Sequence, residues 1–516
     1  MQDTSSTYAP YTDSRKVELS FSFGVVAPDA ADLAQPSSSA QSAVSQIAQT
    51  VDGIEQMSGK YTSLETNMWI LDGTMELYPG TQVGWHGNEI SGGDKIFSAN
   101  PWLEFDFSEP QDSYGFTLIF DDTQPDNFPS QVITTVYNSS GSQINTLTTQ
   151  PDSYTHIIAL PTQGYSRVRF EFHATNIPNR RIRICEVKFG VEYVYNESNI
   201  QSVTVRQSVS PWAESLASSE VSATIDNSNK LYNMLNPDGL YTYLQDGQYM
   251  EWQMIINGEP IQMGRSYFTS AESEEKGLTA NITFNDRFFV MDNIPYTGGQ
   301  SGTWTLQNAV SDILEASGTG LTAIFEGNVG QTTIRKCFPQ NVSTREALRM
   351  AAQAAMCACF IDRQNYVHFF TPVVSSAPDD IWTKDIQYED AQIKVGELYN
   401  VVQLTVDNEY ASNTDPTIFT AKNVTEGDFE RVFEVSNPVV NNGDAVAQWL
   451  LSWIQRRVSY EVTVRGDPAL DMLDTSSPRF RLRLCSRFPL PILWPLSTTP
   501  QAAVWKARVN TDSCTL

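Results

Sequence analysis

Residues 220–292 place the tightest limit on what this chain can fold into. Short runs there alternate apolar and polar residues, divided by turn signals at Asp226-Asn227, Pro237-Asp238-Gly239, Asp246-Gly247, Asn257-Gly258 and Lys276-Gly277. Period-two alternation is what a half-buried strand demands, because successive side chains point to opposite faces. Asn257-Gly258 is the sharpest signal, since both residues accept the positive φ of a two-residue hairpin turn following 252–256. At least four strands are needed to account for the pattern, which predicts a small antiparallel barrel or sandwich.

The run RKVELSFSFGVV, residues 15–26, alternates as cleanly but stands alone. A strand needs a partner for its backbone groups, and the next β-rich neighbour of the same kind begins near Ile200. The simplest reading is one domain split by an insertion, with 1–27 supplying its first strand and 191–297 the rest. Pro28, Pro36 and the serines at 37–39 then break the chain. Val44, Ile47, Val51 and Ile54 recur at three- and four-residue steps, which lays an apolar stripe along a helix within 28–60. Such a helix either lies on its own domain or seeds a short coiled coil between subunits. Residues 61–190 read as an inserted β-sandwich, with alternating runs at 102–107, 116–121, 131–138, 155–160, 167–173 and 181–189.

Beyond 297 the texture changes. Leu306, Val310, Ile313 and Leu314 mark a helix stopped by Gly318. Ser343 and Glu346 form a capping box for a second, Ala-rich helix, and CFIDRQNYVHFF reads as a hairpin, so 298–380 form a small α+β domain. Alternation resumes in 381–475, where a helix at 443–457 carries Val446, Trp449, Leu450, Trp453 and Ile454 on one face. From 476 to 516 the chain turns basic and Pro-rich and alternation ends. Two readings stand for this tail: a basic segment outside the fold or, preferred, the product of a reading-frame shift near Asp474. The fold class is mainly β with α+β parts.

Composition narrows the function. A chain of 516 residues holds three or four domains. A net charge of −27 argues against a protein that grips nucleic-acid phosphates through clustered Lys and Arg. The four histidines (His86, His156, His173, His368) are scattered, and no HExxH, paired Cys-x-x-Cys or Gly-rich phosphate loop is present. A non-enzyme is therefore expected. The six cysteines are read as reduced thiols. No segment approaches the ~20 apolar residues of a membrane span, and MQDTSSTYAPYTDSRK lacks the basic start and apolar run of a secretory signal.

The ordered set TIDNS, NPDG, LQDGQ, GEPIQMGRSYFTSAES and GLTANITFNDR resembles the tube-forming domain of phage tail hub proteins. STREALRMAAQAAMCACFIDRQNYVHFF resembles the helix and hairpin that follow the first tube domain in hub and tail-associated proteins. Within the insertion, NPWLEFDFSEP, YGFTLIFD and RRIRICEVKFG resemble the galactose-binding-like jelly roll of carbohydrate-binding modules and discoidin-type domains. The resemblance implies two tube-type β-barrel domains, the second within 381–475, and a homotrimer that continues a sixfold tail tube. It implies distal tail and tape-measure proteins as partners, and a place in the virion after assembly in a bacterial host cytoplasm. It also implies that the insertion holds a host cell-surface glycan such as a cell-wall polysaccharide. The alternative is a non-catalytic carbohydrate-binding protein of a polysaccharide-degrading system.

Sugar recognition needs an aromatic face for C–H groups and fixed polar groups beside it. Trp85 and His86, with Glu89, Arg180 and Arg181, form the best such cluster, while Trp69 and Trp102 are assigned to the core. The oxygen-rich loop Asp121, Asp122, Asp126 and Asn127 has the character of a structural calcium site, the one cofactor considered. In a tail hub, DNA passes without being held. Asp226, Glu251, Glu272, Glu274, Glu275, Glu389, Asp390 and Glu397 are therefore expected to face a repelling lumen.

Overall fold

The computed structural model describes residues 4, 8–9, 11, 16–27, 29–58, 60–61, 63, 65–66, 68, 72–76, 80–123, 126–298, 302–373, 380–382, 392–407, 415–425, 429–456, 458–461, 467–470 and 476–478. The two largest sheets have seven strands each. The first half of the chain supplies β1 (Val17–Val26), β2 (Ala34–Ser38), β3 (Trp85–His86), β4 (Trp102–Phe120), β5 (Pro129–Tyr137), β6 (Gln143–Thr149), β7 (Thr155–Thr175) and β8 (Arg183–Lys188). Then follow β9 (Gly190–Tyr195), β10 (Ile200–Ser208), β11 (Ser218–Asp226), β12 (Tyr249–Ile256), β13 (Glu259–Ser273) and β14 (Thr279–Asn285).

The first sheet has the order β9-β1-β12-β13-β14-β11-β10. Strand β1 pairs on one side with β9, Val26 opposite Gly190, and on the other with β12, Phe21 opposite Trp252. The isolated run thus finds its partners beyond the insertion, and one sheet is built from both flanks. The β12–β13 turn at Asn257-Gly258 has φ of 52° and 89°, as its residues allow.

Strands β9 and β10 are the two edges of this ladder, and no bond joins them among the described residues. Only residues 196–199 connect them, which spans at most about 18 Å between the flanking Cα atoms. Six strand spacings across a flat sheet amount to about 29 Å. The sheet therefore curls, and the Ile200 N–H donates to Asn196 O at 2.9 Å where the edges meet. A tube-type barrel was expected; the sheet has a barrel's curvature without its closed ladder. Phe21, Phe23, Met250, Trp252, Ile282 and Phe284 fill the inside.

The insertion's strands form one ladder, β3-β8-β4-β7-β5-β6, with β2 also on β4. Strands β4 and β7 are long, and register shifts between Asp106 and Gly115 let their two halves lie in different layers. Phe105 meets Phe189 across the resulting sandwich core at 5.1 Å between ring centroids. Strand β6 escapes a reading by alternation because almost all of it is exposed and polar.

The helix expected along 44–54 is absent, although a four-residue helix, Ala30–Leu33, lies earlier in 28–60. Strand β2 occupies part of that stretch, Ile47–Val51 is a single 3-10 turn, and Ile54 is 48% exposed. The backbone is committed elsewhere: Gln46 N–H donates to Gly84 O at 2.8 Å. The Gln49 side-chain carbonyl accepts the N–H groups of Val83 and Gly84 at 2.8 and 3.0 Å. Ile47 and Val51 pack against the insertion's core, which ties this stretch to the insertion.

Helices Leu306–Ser317 and Thr344–Ala354 follow, the first ended by Gly318 at φ 60°. Ser343 Oγ accepts the Glu346 N–H at 3.1 Å, but the Glu346 carboxylate turns to Arg349 at 2.6 Å instead of reaching back. Their core continues into Val402, Leu404, Val446 and Leu450, so the α+β part and the strands after it share one interior. In 381–475 the described strands include a mixed three-stranded sheet, with Val401–Val406 between Thr417–Lys422 and Val432–Ser436, and helix Gly443–Ile454 beside it. These strands do not close into the second barrel that was expected. Asp474 and residues 479–516 lie outside the described residues.

Candidate functional site

Strands β3 and β8 lie side by side at the edge of the insertion, His86 opposite Arg183 and Trp85 opposite Ile184. This pairing gathers the expected residues at one end of the sandwich, but in another pose. Trp85 is fully buried, its ring 6.0 Å from that of Phe172, and it has no face to offer a sugar. The stacking role read for it is corrected accordingly: it is a core residue. His86 is buried too, its Nε2 3.0 Å from Val83 O and its Nδ1 2.6 Å from the Tyr61 hydroxyl. Burial first, then the nearby Arg183 charge, push its pKa down to about 3, so the ring is neutral near pH 7.

Arg183 is the centre of this end. Its guanidinium meets the Glu65 carboxylate, lies 3.1 Å from Asp121 Oδ2 and stands 5.5 Å from the centre of the Tyr61 ring. All three charged groups are at most 2% exposed, which the pairing makes tolerable. Glu65 also accepts the Arg181 N–H at 2.7 Å. Burial pushes the Tyr61 phenol up to about 12. Tyr61, Glu65 and Arg183 escaped the sequence reading, because β8 is buried on both faces and alternation cannot say which arginine turns inward.

Arg180 is buried, with Nη1 donating to Thr66 O at 2.6 Å. Arg181 is half-buried and its guanidinium holds the carbonyls of Gly87, at 3.1 Å, and Asn88. Glu89 is half-buried next to exposed Asn88. Of the five residues expected to read a sugar, Arg181 and Glu89 are the two with solvent access. Trp102, expected in the core, lies half-buried with the Arg169 guanidinium 4.1 Å above its ring; Trp69 is outside the described residues.

In the acidic loop read as a calcium site, Asp121 is committed to Arg183 and to the Thr123 hydroxyl at 2.6 Å, Asp122 and Asp126 are exposed, and Asn127 is buried. Among the described residues, no three His, Cys, Asp or Glu side chains converge as a metal site.

The outward face of the curled sheet is polar, with Ser20, Ser22, Glu251, Gln253, Thr224 and Asn281 alternating with the core residues. Glu251 is paired with Arg265. Asp226, Glu272, Glu274, Glu275 and Glu397 are exposed, and Glu389 and Asp390 lie outside the described residues.

No protein-family model matches the chain, and no curated protein matches it. Among solved structures it is similar to a tail protein of prophage MuSo2 from Shewanella oneidensis, at 14% identity and a TM-score of 0.40, covering 57% of this chain and 88% of that one. It is similar to a tail protein from Neisseria meningitidis MC58 at 11% identity and a TM-score of 0.35, covering 53% and 77%. A fucose-binding module from Streptococcus pneumoniae is similar at 16% identity and a TM-score of 0.21, covering 31% of this chain and 94% of the module. Its neighbours among solved structures thus include phage and prophage tail proteins and carbohydrate-binding modules.

Proposed function

We propose that this chain is a non-catalytic structural subunit of a phage tail, set at the tube end or tip hub, whose insertion presents a glycan-reading end to the host surface. The observation that carries this reading is the splice. Strand β1 ends at Val26 directly opposite Gly190, and the Ala27 N–H donates to Phe189 O at 3.2 Å. The insertion's own core begins at once, with Ala27, Ala30 and Ala34. A complete sandwich is thus set into one connection of a curled sheet that pairs its strands without it. At the bend of β4, Tyr114 packs on Tyr193 and Tyr243 and donates to Asp238 O at 3.3 Å. These contacts tie the bend of β4 to the curled sheet. A module tied to its sheet suits an outward-facing part of an assembly better than the free accessory module of the alternative reading.

The polar outer sheet face is chemically suited to a wall past which DNA slides, since neutral hydroxyls and amides with an excess of acids give phosphates little to hold. Three copies around an axis, bounded by distal tail and tape-measure proteins, complete the proposal. Glycan contact is assigned to the exposed rim at Arg181 and Glu89. Electron micrographs of the purified full chain test the assembly: closed rings are expected, and a chain that stays monomeric at all concentrations speaks for the alternative. Titration with host cell-wall polysaccharide tests the module, with Arg181→Ala and Glu89→Ala expected to weaken binding.

A further inference from the structure

The loop 227–248, between β11 and β12, closes one end of the curled sheet. Tyr232 and Leu240 turn into the core, and the Tyr232 and Tyr195 hydroxyls share a hydrogen bond of 2.5 Å. Asparagine side chains hold the rest of the loop in shape. Asn227 Oδ1 accepts the Tyr232 N–H at 3.1 Å, Asn233 Oδ1 the Leu235 N–H at 2.8 Å and Asn236 Oδ1 the Asp238 N–H at 3.1 Å. The neighbouring 274–278 turn is tied to this loop. Asn233 Nδ2 donates to Glu275 O at 3.1 Å, the Asn227 N–H to Leu278 O at 2.6 Å, and the Lys230 ammonium to Gly277 O.

On this pinned surface three large apolar side chains face water: Met234 and Leu235, each 72% exposed, and Leu278, 62% exposed. Apolar residues scattered singly over a surface need no explanation. Here the three stand on two loops that are hydrogen-bonded to each other, which keeps them at one end of the sheet. Capping the sheet does not require it either, since Tyr232 and Leu240 do that and neither Met234 nor Leu235 reaches the core. The same two loops and their flanking strand ends carry exposed Asp226, Asp238, Glu272, Glu274 and Glu275 against Lys276 and the already engaged Lys230. A second copy meeting this end with its own would bring like charges together.

We propose that this end of the sheet is a docking knob for a different protein, one that offers an apolar stripe flanked by Lys and Arg. The three apolar side chains anchor the contact, and the acidic rim selects the partner. The inference holds whether or not the chain belongs to a tail. It is tested on the full chain with two synthetic amphipathic helical peptides that share one leucine stripe, flanked in one by lysines and in the other by glutamates. The lysine-flanked peptide is expected to bind at least about tenfold tighter, and Met234→Ser with Leu235→Ser to weaken it about tenfold without moving the melting temperature. Because a chain of net charge −27 attracts cations generally, Ile157→Ser on the insertion serves as the control and is expected to leave binding unchanged. Equal binding of both peptides, unchanged binding in the double variant, or equal weakening by Ile157→Ser overturns the proposal. So does a concentration-dependent dimer, seen by sedimentation, that the double variant abolishes.

Discussion

Phe23 in β1 and Phe284 in β14 stand three strands apart in the sheet order, yet their ring centroids lie 5.2 Å from each other at 80°. On a flat sheet three strand spacings would part them by about 14 Å. The contact exists only because the sheet curls, so it reports the curvature directly. Phe284→Ala, at a fully buried position, is expected to cost about 3–5 kcal/mol. Urea unfolding of the full chain checks this, and a loss below about 1 kcal/mol would mean that the rings do not hold the sheet curled.

Gly190 is required by close approach at the splice. A Cβ there would sit inside contact distance of Val25 O and Val26 Cα. Gly190→Ala is expected to destabilise by about 1–3 kcal/mol as β1 and β9 are forced apart. Thermal melting with circular dichroism measures it.

Replacing residues 27–189 by a short turn from Val26 to Gly190 is expected to leave the curled sheet folded, and the excised 27–189 fragment to melt cooperatively alone. The boundary is set at 27 because β2 pairs with β4 and the 47–51 turn packs against the insertion's core. A fragment without a cooperative transition would show that the two parts depend on each other.

Arg183→Met leaves the Glu65 and Asp121 carboxylates buried without their cation. The expected loss is about 3–5 kcal/mol. Arg167→Ala, which removes an exposed pair with Asp106, is expected to cost under about 1 kcal/mol. Similar losses in the two variants would deny Arg183 its place at the centre of that end.

Two buried groups give opposite pH dependences. His86 has a folded pKa of about 3 against 6.5 unfolded, so the unfolded chain takes up a proton that the folded one refuses. Its contribution is fully present above pH 6.5 and is lost as pH falls towards 3. Glu186 is raised from 4.5 to about 8, chiefly by burial and then by Asp52. Its contribution is present below pH 4.5 and lost as pH rises through 8. His86→Gln is expected to flatten the acid side of a plot of Tm against pH, and Glu186→Gln the alkaline side. Profiles that match the parent chain would contradict both assignments.

Alternation, turn chemistry and capping act over a few residues, and these were legible in the chain alone. They determined β1, the Asn257-Gly258 hairpin, the Ser343 cap and the need for an interrupted domain. The stripe of Val44, Ile47, Val51 and Ile54 misled for the same reason. Its spacing is helical, but Gln46 and Gln49 bond the distant 83–84 backbone and the helix is lost. Whether the first sheet closes, and that β4 and β7 bend between two layers, depends on partners far away in sequence. So does the site. Trp85-His86, between Gly84 and Gly87, reads as a polar loop with an exposed ring. Pairing with β8 and packing on Phe172 bury it, and Arg183 draws Glu65 and Asp121 together from segments far apart in the chain. Burial is decided by what the rest of the chain lays over a residue, and no local pattern carries that information.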